Sequence, residues 1–448
     1  MKTKLIFIIS CFFLIIESRY LPLFSQTVRE VIEVGQAEEG EQADTIIYSF
    51  PGKAVEEGFG TKKDKRNLKK DKSERKADSG DNEDSDVKTN FRFSGQVSGW
   101  LHVTPDIDRK VWLGGRYIPQ INYEINIPDN HKIDFEGSAN IYGDIGFRKF
   151  NDSHADGDID PYRLWVRYSS AHAEVRLGLQ KINFGPAKMF RPLMWFDSTD
   201  PRDPLQMTNG VWGGLFRYYF NNDANIWFWT LVGNEDIKGW EVAKTTGTNR
   251  PEIGARIQYP LPFGEIAVSY HHRKASFDFF MPNIPPGTDR TKALENRIGF
   301  DIRADVVVGL WLEASWTHYN KNLDFLTNQQ LITLGTDYTF DIGNGLAVTA
   351  EHLLYGSDRK AFEFKDALNF TGTTLSYPIT MVDNINTIIY YDWKNKKVYT
   401  FANWKKKYNQ LTFYLMAYWN PKKYDMPGHA LNNRFVGKGL QVMVVWNY

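Results

Sequence analysis

Arg163, Arg167, Arg176, Arg217, Arg256, Arg273, Arg297 and Arg303 recur through the middle of this 448-residue chain, most of them between apolar neighbours. Acids follow the same rule at Glu174, Glu252, Glu265, Glu295, Asp301, Glu313, Asp337 and Glu351. Ionic side chains at alternate positions of an apolar run can do two kinds of chemistry. Projecting into water, arginines attract anions and set selectivity. Facing acids on neighbouring strands, they brace a wall. The near balance of sign favours bracing for most of them; a selectivity cluster is best placed at Arg163, Arg167, Arg176 and Arg217.

A second informative segment is "GPAKMFRPLMWFDSTDPRDPLQMTN", Gly185 to Asn209. Pro186, Pro192, Pro201 and Pro204 stiffen it, and Met194, Trp195 and Phe196 stand beside Asp197, Asp200, Arg202 and Asp203. A long loop with hydrophobic anchors can fold inward and constrict a pore. The expected lining and solute-contacting set is therefore Arg163, Arg167, Arg176, Gln180, Asp197, Asp200, Arg202, Asp203, Arg217, Arg256, Arg297 and Arg303.

Other constellations are weak. "NDSHADGDID" (Asn151 to Asp160) is acidic but lacks the spacing of a calcium loop. His271 and His272 are adjacent on an expected strand and point to opposite faces, which disfavours shared metal ligation. A hydrolase would need a nucleophile beside an oriented histidine, and no Ser-centred motif offers one. No catalytic residue, metal site or cofactor is expected.

The elements that carry these side chains are strands. From Phe91 to Tyr448 the hydropathy repeats with period two. In "ALENRIGFDIRAD", Leu294, Ile298, Phe300 and Ile302 alternate with Glu295, Arg297, Asp301 and Arg303. "LTFYLMAYW" puts Leu411, Phe413, Leu415, Ala417 and Trp419 on one face, and "LQVMVVWNY" ends the chain in the same way. Connections alternate in length. "IPDNHK", "SSAHA", "NNDAN", "PLPFG" and "DIGNG" are tight turns. Phe147 to Asp160, Gly185 to Asn209, Gly233 to Pro251 and Lys274 to Lys292 read as long insertions. Short turns on one side and long loops on the other are the signature of an outer-membrane barrel.

Parity then sets the count. With both ends of the barrel on the periplasmic side the strand number must be even, and a first pass finds seventeen. Taking "NFTGTTLSY" (Asn369 to Tyr377) as a descending strand brings the total to about eighteen, with sixteen as the alternative. The fold class is all-β: a transmembrane antiparallel barrel spanning 91–448.

Residues 1–25 read as a signal peptide, with Lys2 and Lys4 ahead of "LIFIISCFFLII". The single cysteine, Cys11, lies in that core, so disulfides and thiolate metal sites are not expected in the remainder. Residues 26–90 contain "TKKDKRNLKKDKSERK" and "DSGDNEDSD" and read as a charged periplasmic tether. The overall charge is balanced, 54 basic against 54 acidic residues, so no nucleic-acid partner is implied.

Lipid explains why apolar faces point outward. Aromatic residues near strand ends, such as Trp227, Trp229, Trp404 and Trp419, suit interfacial girdles. The final strand, with Trp446 and a terminal Tyr448, resembles the C-terminal signature of outer-membrane proteins, which implies the barrel assembly machinery as a partner. "RLGLQKINFG" (Arg176 to Gly185) followed by "DSTDPRDP" resembles a pattern of large bacterial porin-like barrels, including the alginate-export and phosphate-selective porin groups. That resemblance implies passage of small polar or anionic solutes across a bacterial outer membrane. The alternative is a non-conducting scaffold or secretion component whose lumen is sealed by its charges.

Overall fold

The computed structural model describes residues 88–149, 152–245, 250–277, 292–422 and 435–448. The expected signal peptide, and the expected tether up to residue 87, lie outside the described residues. The first strands are β1 (Lys88–Val103), β2 (Val111–Ile127), β3 (His131–Lys149), β4 (Asp152–Ser169) and β5 (Ala173–Gln180). Next come β6 (Val211–Tyr219), β7 (Asn225–Leu231), the two-residue β8 (Lys244–Thr245), β9 (Glu252–Leu261) and β10 (Gly264–Ser276). They continue with β11 (Lys292–Asp305), β12 (Gly309–Tyr319), β13 (Asn328–Phe340), β14 (Leu346–Asp358) and β15 (Leu368–Pro378). The last are β16 (Asp383–Asp392), β17 (Lys397–Tyr408), β18 (Leu411–Trp419) and β19 (Lys438–Asn447). A helical turn spans Asp324–Leu326 between β12 and β13.

Every pairing is antiparallel. β8 only adds to the end of β10 within a loop; the other strands pair in chain order, and β19 returns to β1. The result is a closed barrel of 18 strands. Closure is completed at the seam, where Tyr448 and Gly95 exchange backbone hydrogen bonds at 3.1 Å in both directions. With no free edge, each strand's amides find partners inside the protein.

The two rims differ as the connection lengths indicated. Short turns join β2 to β3, β4 to β5, β9 to β10 and their equivalents, and Asp129 and Asn130 adopt the left-handed conformation in the three-residue turn 128–130. One expectation fails. Phe147 to Asp160 is not a long insertion; β3 and β4 run on through it to Lys149 and from Asp152, paired as far as Lys149 and Asp152. Its polar residues alternate on an extended hairpin, and polarity alone does not distinguish that from a loop.

Side chains divide by face. On β1, Val97, Leu101 and Val103 are exposed while Ser98, Trp100 and His102 are buried. The same inversion recurs on β11, where Leu294 and Ile298 are exposed and Glu295, Arg297 and Asp301 are buried. Apolar outside and ionic inside is the arrangement hydrocarbon selects, since Arg on the lipid face costs ~2–4 kcal/mol near the midplane.

The inner wall repeats one packing device. Trp100, Trp112, Trp229 and Trp311 each stand directly opposite a glycine of the next strand: Gly114, Gly146, Gly254 and Gly335. A Cβ on Gly114 would lie 2.3 Å from the Trp100 ring, so each indole lies flat only because its partner has no side chain. This generates a paired prediction. Gly114→Val should destabilise the barrel by about 1–3 kcal/mol through overpacking. Gly115→Val faces outward, meets only the Ser98 carbonyl at 3.7 Å, and should be near neutral. Urea unfolding of the two variants in the same vesicles measures the difference.

Candidate functional site

The segment between β5 and β6 turns into the barrel. Met189, Phe190, Leu193, Met194, Trp195, Phe196 and Met207 are all buried there. Its apolar residues have no lipid to face on that path and bury themselves against the inner wall instead. Phe190 packs against Phe370 of β15 and Tyr390 of β16, with ring centroids 6.3 and 5.3 Å apart. Phe184 and Trp195 join Val211, Leu215 and Trp229 in a second apolar cluster beneath β6 and β7.

Two wall carboxylates pin the segment by its backbone. Glu313 of β12 accepts from the amides of Ala187 (2.9 Å) and Leu193 (2.6 Å). Glu351 of β14 accepts from Lys188 (2.6 Å), Met189 (2.9 Å) and Phe190 (2.7 Å), and from the Trp311 indole at 3.1 Å. The Lys188 ammonium reaches Asp337 of β13 at 2.5 Å. A loop carrying unpaired amides into a dry interior must find acceptors, and buried carboxylates serve best because charge-assisted bonds are the strong ones.

The loop's own ionic residues are used internally. Arg191 binds Asp197 at 3.1 Å, and Arg202 forks onto Asp200 through Nε and Nη2. Asp203 accepts from the amides of Leu205 and Met207. So Asp197, Asp200, Arg202 and Asp203, expected to line a pore, are buried and chiefly shape the loop. A second segment lies over it: the Trp240 indole donates to the Arg191 carbonyl at 2.8 Å, and Glu241 accepts from Arg273 (3.0 Å) and Arg297 (2.7 Å).

Most of the wall arginines are paired. Arg256 forks onto Asp301 at 2.6 and 2.9 Å. Arg297 also contacts Glu295, Arg273 holds the same acid at 2.9 Å, and Arg303 meets Asp305 at 2.8 Å near the short-turn rim. Arg163 donates to the Thr208 carbonyl at 3.0 Å, tying β4 to the inward loop. Gln180 is buried and donates to backbone carbonyls of Arg176 and Gly213. Each of these residues is held by a partner in the wall or the loop.

One group differs. Arg167, Arg176 and Arg217, on β4, β5 and β6, converge on the single carboxylate of Glu174 at 3.8, 3.2 and 3.7 Å. Arg167 also forks onto Asp134 of β3. Trp165 lies under both Arg167 and Arg176, and Arg217 lies 3.9 Å over the Trp227 ring. Three guanidinium groups thus gather around Glu174 and Asp134 on this stretch of wall.

Sequence reasoning missed the apolar character of the lumen opposite. Leu331, Leu353, Phe370, Ile388, Phe401 and Met416 face inward from β13 to β18, where alternation alone suggested polar residues. Both faces of these strands are apolar enough that period two is muted. It also missed Glu313 and Glu351 as loop anchors: their partners lie more than 100 positions away. No local signal could have joined them.

The fold and its inward loop define a porin-like barrel. The chain matches no protein-family model and no curated protein. Among solved structures, OccAB1 of Acinetobacter baumannii matches with a TM-score of 0.50 at 9% identity, covering 82% of this chain and 99% of that one. The anion-selective porin of Comamonas acidovorans gives a TM-score of 0.42 at 13% identity, over 81% of this chain and 100% of the other. OprB of Pseudomonas putida gives 0.40 at 12%, over 82% and 95%. At 9% identity the first match speaks for the shared fold alone.

The pinning has a direct test. Glu351→Ala leaves three loop amides and the Trp311 indole without this acceptor, at about 1–3 kcal/mol for each group left unsatisfied. Trypsin should then cut after Lys188 in the folded barrel, whereas the parent protein should resist, as read by mass spectrometry of the fragments.

Proposed function

We propose that this protein is a porin-like channel of a bacterial outer membrane, narrowed by its own β5–β6 loop, for small polar or anionic solutes. The observation that carries this reading is the inversion of faces around a closed barrel, with the apolar side turned out and a pinned loop inside. A barrel of 18 strands leaves an aqueous bore unless something fills it. The gathering of Arg167, Arg176 and Arg217 on neighbouring strands favours anions, since arginines projecting toward water attract them. Arg163, Gln180, Arg256, Arg297 and Arg303 belong to the same wall and act chiefly by holding it in shape.

The remaining parts fit the same setting. A signal peptide delivers the chain across the inner membrane, and Trp446 with Tyr448 labels it for the barrel assembly machinery. Tyr448 is also joined to the wall, its hydroxyl 2.7 Å from that of Tyr117. No catalytic step or cofactor belongs to this reading.

A second reading is a sealed scaffold. The apolar packing of Met189, Phe190 and Met207 against the β13–β19 wall favours it. Planar-bilayer recording separates the two: a channel gives steady conductance steps, and a sealed barrel gives none. In a conducting protein, Arg176→Ala with Arg217→Ala should move the reversal potential toward cation preference. Under a tenfold KCl gradient a shift of about 10 mV or more is expected; an unchanged potential assigns both residues to bracing.

A further inference from the structure

The short-turn rim is uneven. Four neighbouring turns present large apolar side chains to solvent: 262–263 between β9 and β10, 306–308 between β11 and β12, 341–345 between β13 and β14, and 379–382 between β15 and β16. Phe263 is 62% exposed, Val307 84%, Ile342 56% and Met381 fully. Elsewhere on this rim the turns 128–130, 170–172 and 409–410 carry Asp129, Asn130, Ser170, His172, Asn409 and Gln410. In 220–224 the one large apolar residue, Phe220, is 43% exposed and packs edge-on against Tyr218 with centroids 4.9 Å apart.

Turn tips project beyond the strands that meet hydrocarbon, and tight turns ordinarily use Gly, Asn and Asp. Lipid therefore does not account for Val307 or Met381. Large exposed apolar side chains on four successive turns mark a surface that a partner covers.

The chain itself supplies an occupant. β1 begins at Lys88 on this same rim, its start paired with Asn126 beside the 128–130 turn. All residues before it therefore enter the barrel from that side. Within them "TIIYSF", Thr45 to Phe50, is apolar and aromatic, between acidic residues 38–44 and the charged runs of 61–86. About 37 residues separate Phe50 from Lys88, and a linker of that length, if unstructured, would have a typical span of about 35 Å. An 18-stranded barrel, with strands about 4.8 Å apart and tilted by about 40°, is also about 35 Å across. The segment can reach the arc on the far side from β1.

We propose that Thr45–Phe50 of this same chain docks on the apolar arc formed by Phe263, Val306, Val307, Ile342 and Met381. Tethering makes this pairing effective at modest intrinsic affinity, since a linker matched to the span gives the highest local concentration. The proposal is independent of whether the lumen conducts.

The test uses the full chain in native membranes. Cys11 is the only cysteine, so Cys11→Ser provides a clean background for engineered pairs. Ile47→Cys with Val307→Cys, treated with a short bismaleimide, should give an intramolecular cross-link about tenfold more efficiently than Ile47→Cys with Asn222→Cys on the polar side. Equal yields for the two pairs would show tethering without docking and overturn the proposal. A product of twice the chain mass would assign the arc to a second copy. Deleting residues 26–85 should expose Val307→Cys to a membrane-impermeant maleimide. Continued protection would mean that lipid or another protein covers it, and would overturn the proposal. Should the first pair fail to assemble, Tyr48→Cys with Ile342→Cys asks the same question.

Discussion

Every structural feature of this protein depends on one requirement: backbone amides in hydrocarbon need partners within the chain. A sheet meets it only by closing on itself, which removes the edges that would otherwise demand pairing. The β1–β19 seam, ending in the mutual bonds of Gly95 and Tyr448, is where that closure happens. Closure turns one face of all eighteen strands toward lipid and the other toward an enclosed space. Which residues may be charged follows from which way each strand faces.

The enclosed space brings a second problem, because ionic side chains turned inward are removed from much of the water that would solvate them. The structure resolves this by pairing. Arg256 with Asp301, and Arg273 and Arg297 with Glu241 and Glu295, are buried pairs whose geometry offsets the cost of desolvation. Glu313 and Glu351 take backbone amides instead of guanidinium groups as partners, and the inward loop is held as a result. The lumen thus has two characters: ionic on β9 to β12, and apolar where the loop meets β13 to β19. The three arginines around Glu174 stand out because they share one carboxylate from three neighbouring strands.

Much of the architecture was legible in the residue pattern. Period two marked the strands, and the alternation of short and long connections indicated an even-stranded barrel. Parity even recovered β15 from "NFTGTTLSY". Where the pattern misled, the cause was local. Phe147 to Asp160 is polar enough to resemble a loop, yet alternates on an extended hairpin. The strands from β13 onward carry apolar residues on both faces, so their inward side was not recognised as a packing surface for the loop.

The amino-acid sequence by itself determined the strands, most of their outward faces and the count, because those depend on spacing between near neighbours and on the polarity of two solvents. Trp227 and Trp229, expected in the girdle, instead pack on the inner wall beneath the loop. Only the tertiary structure decided which arginine meets which acid, and where the Gly185–Asn209 segment comes to rest. Those outcomes depend on strand register and on contacts such as Phe190 N–H to Glu351, 161 positions apart. A buried amide takes whichever acceptor closure brings beside it, and no local spacing encodes that choice.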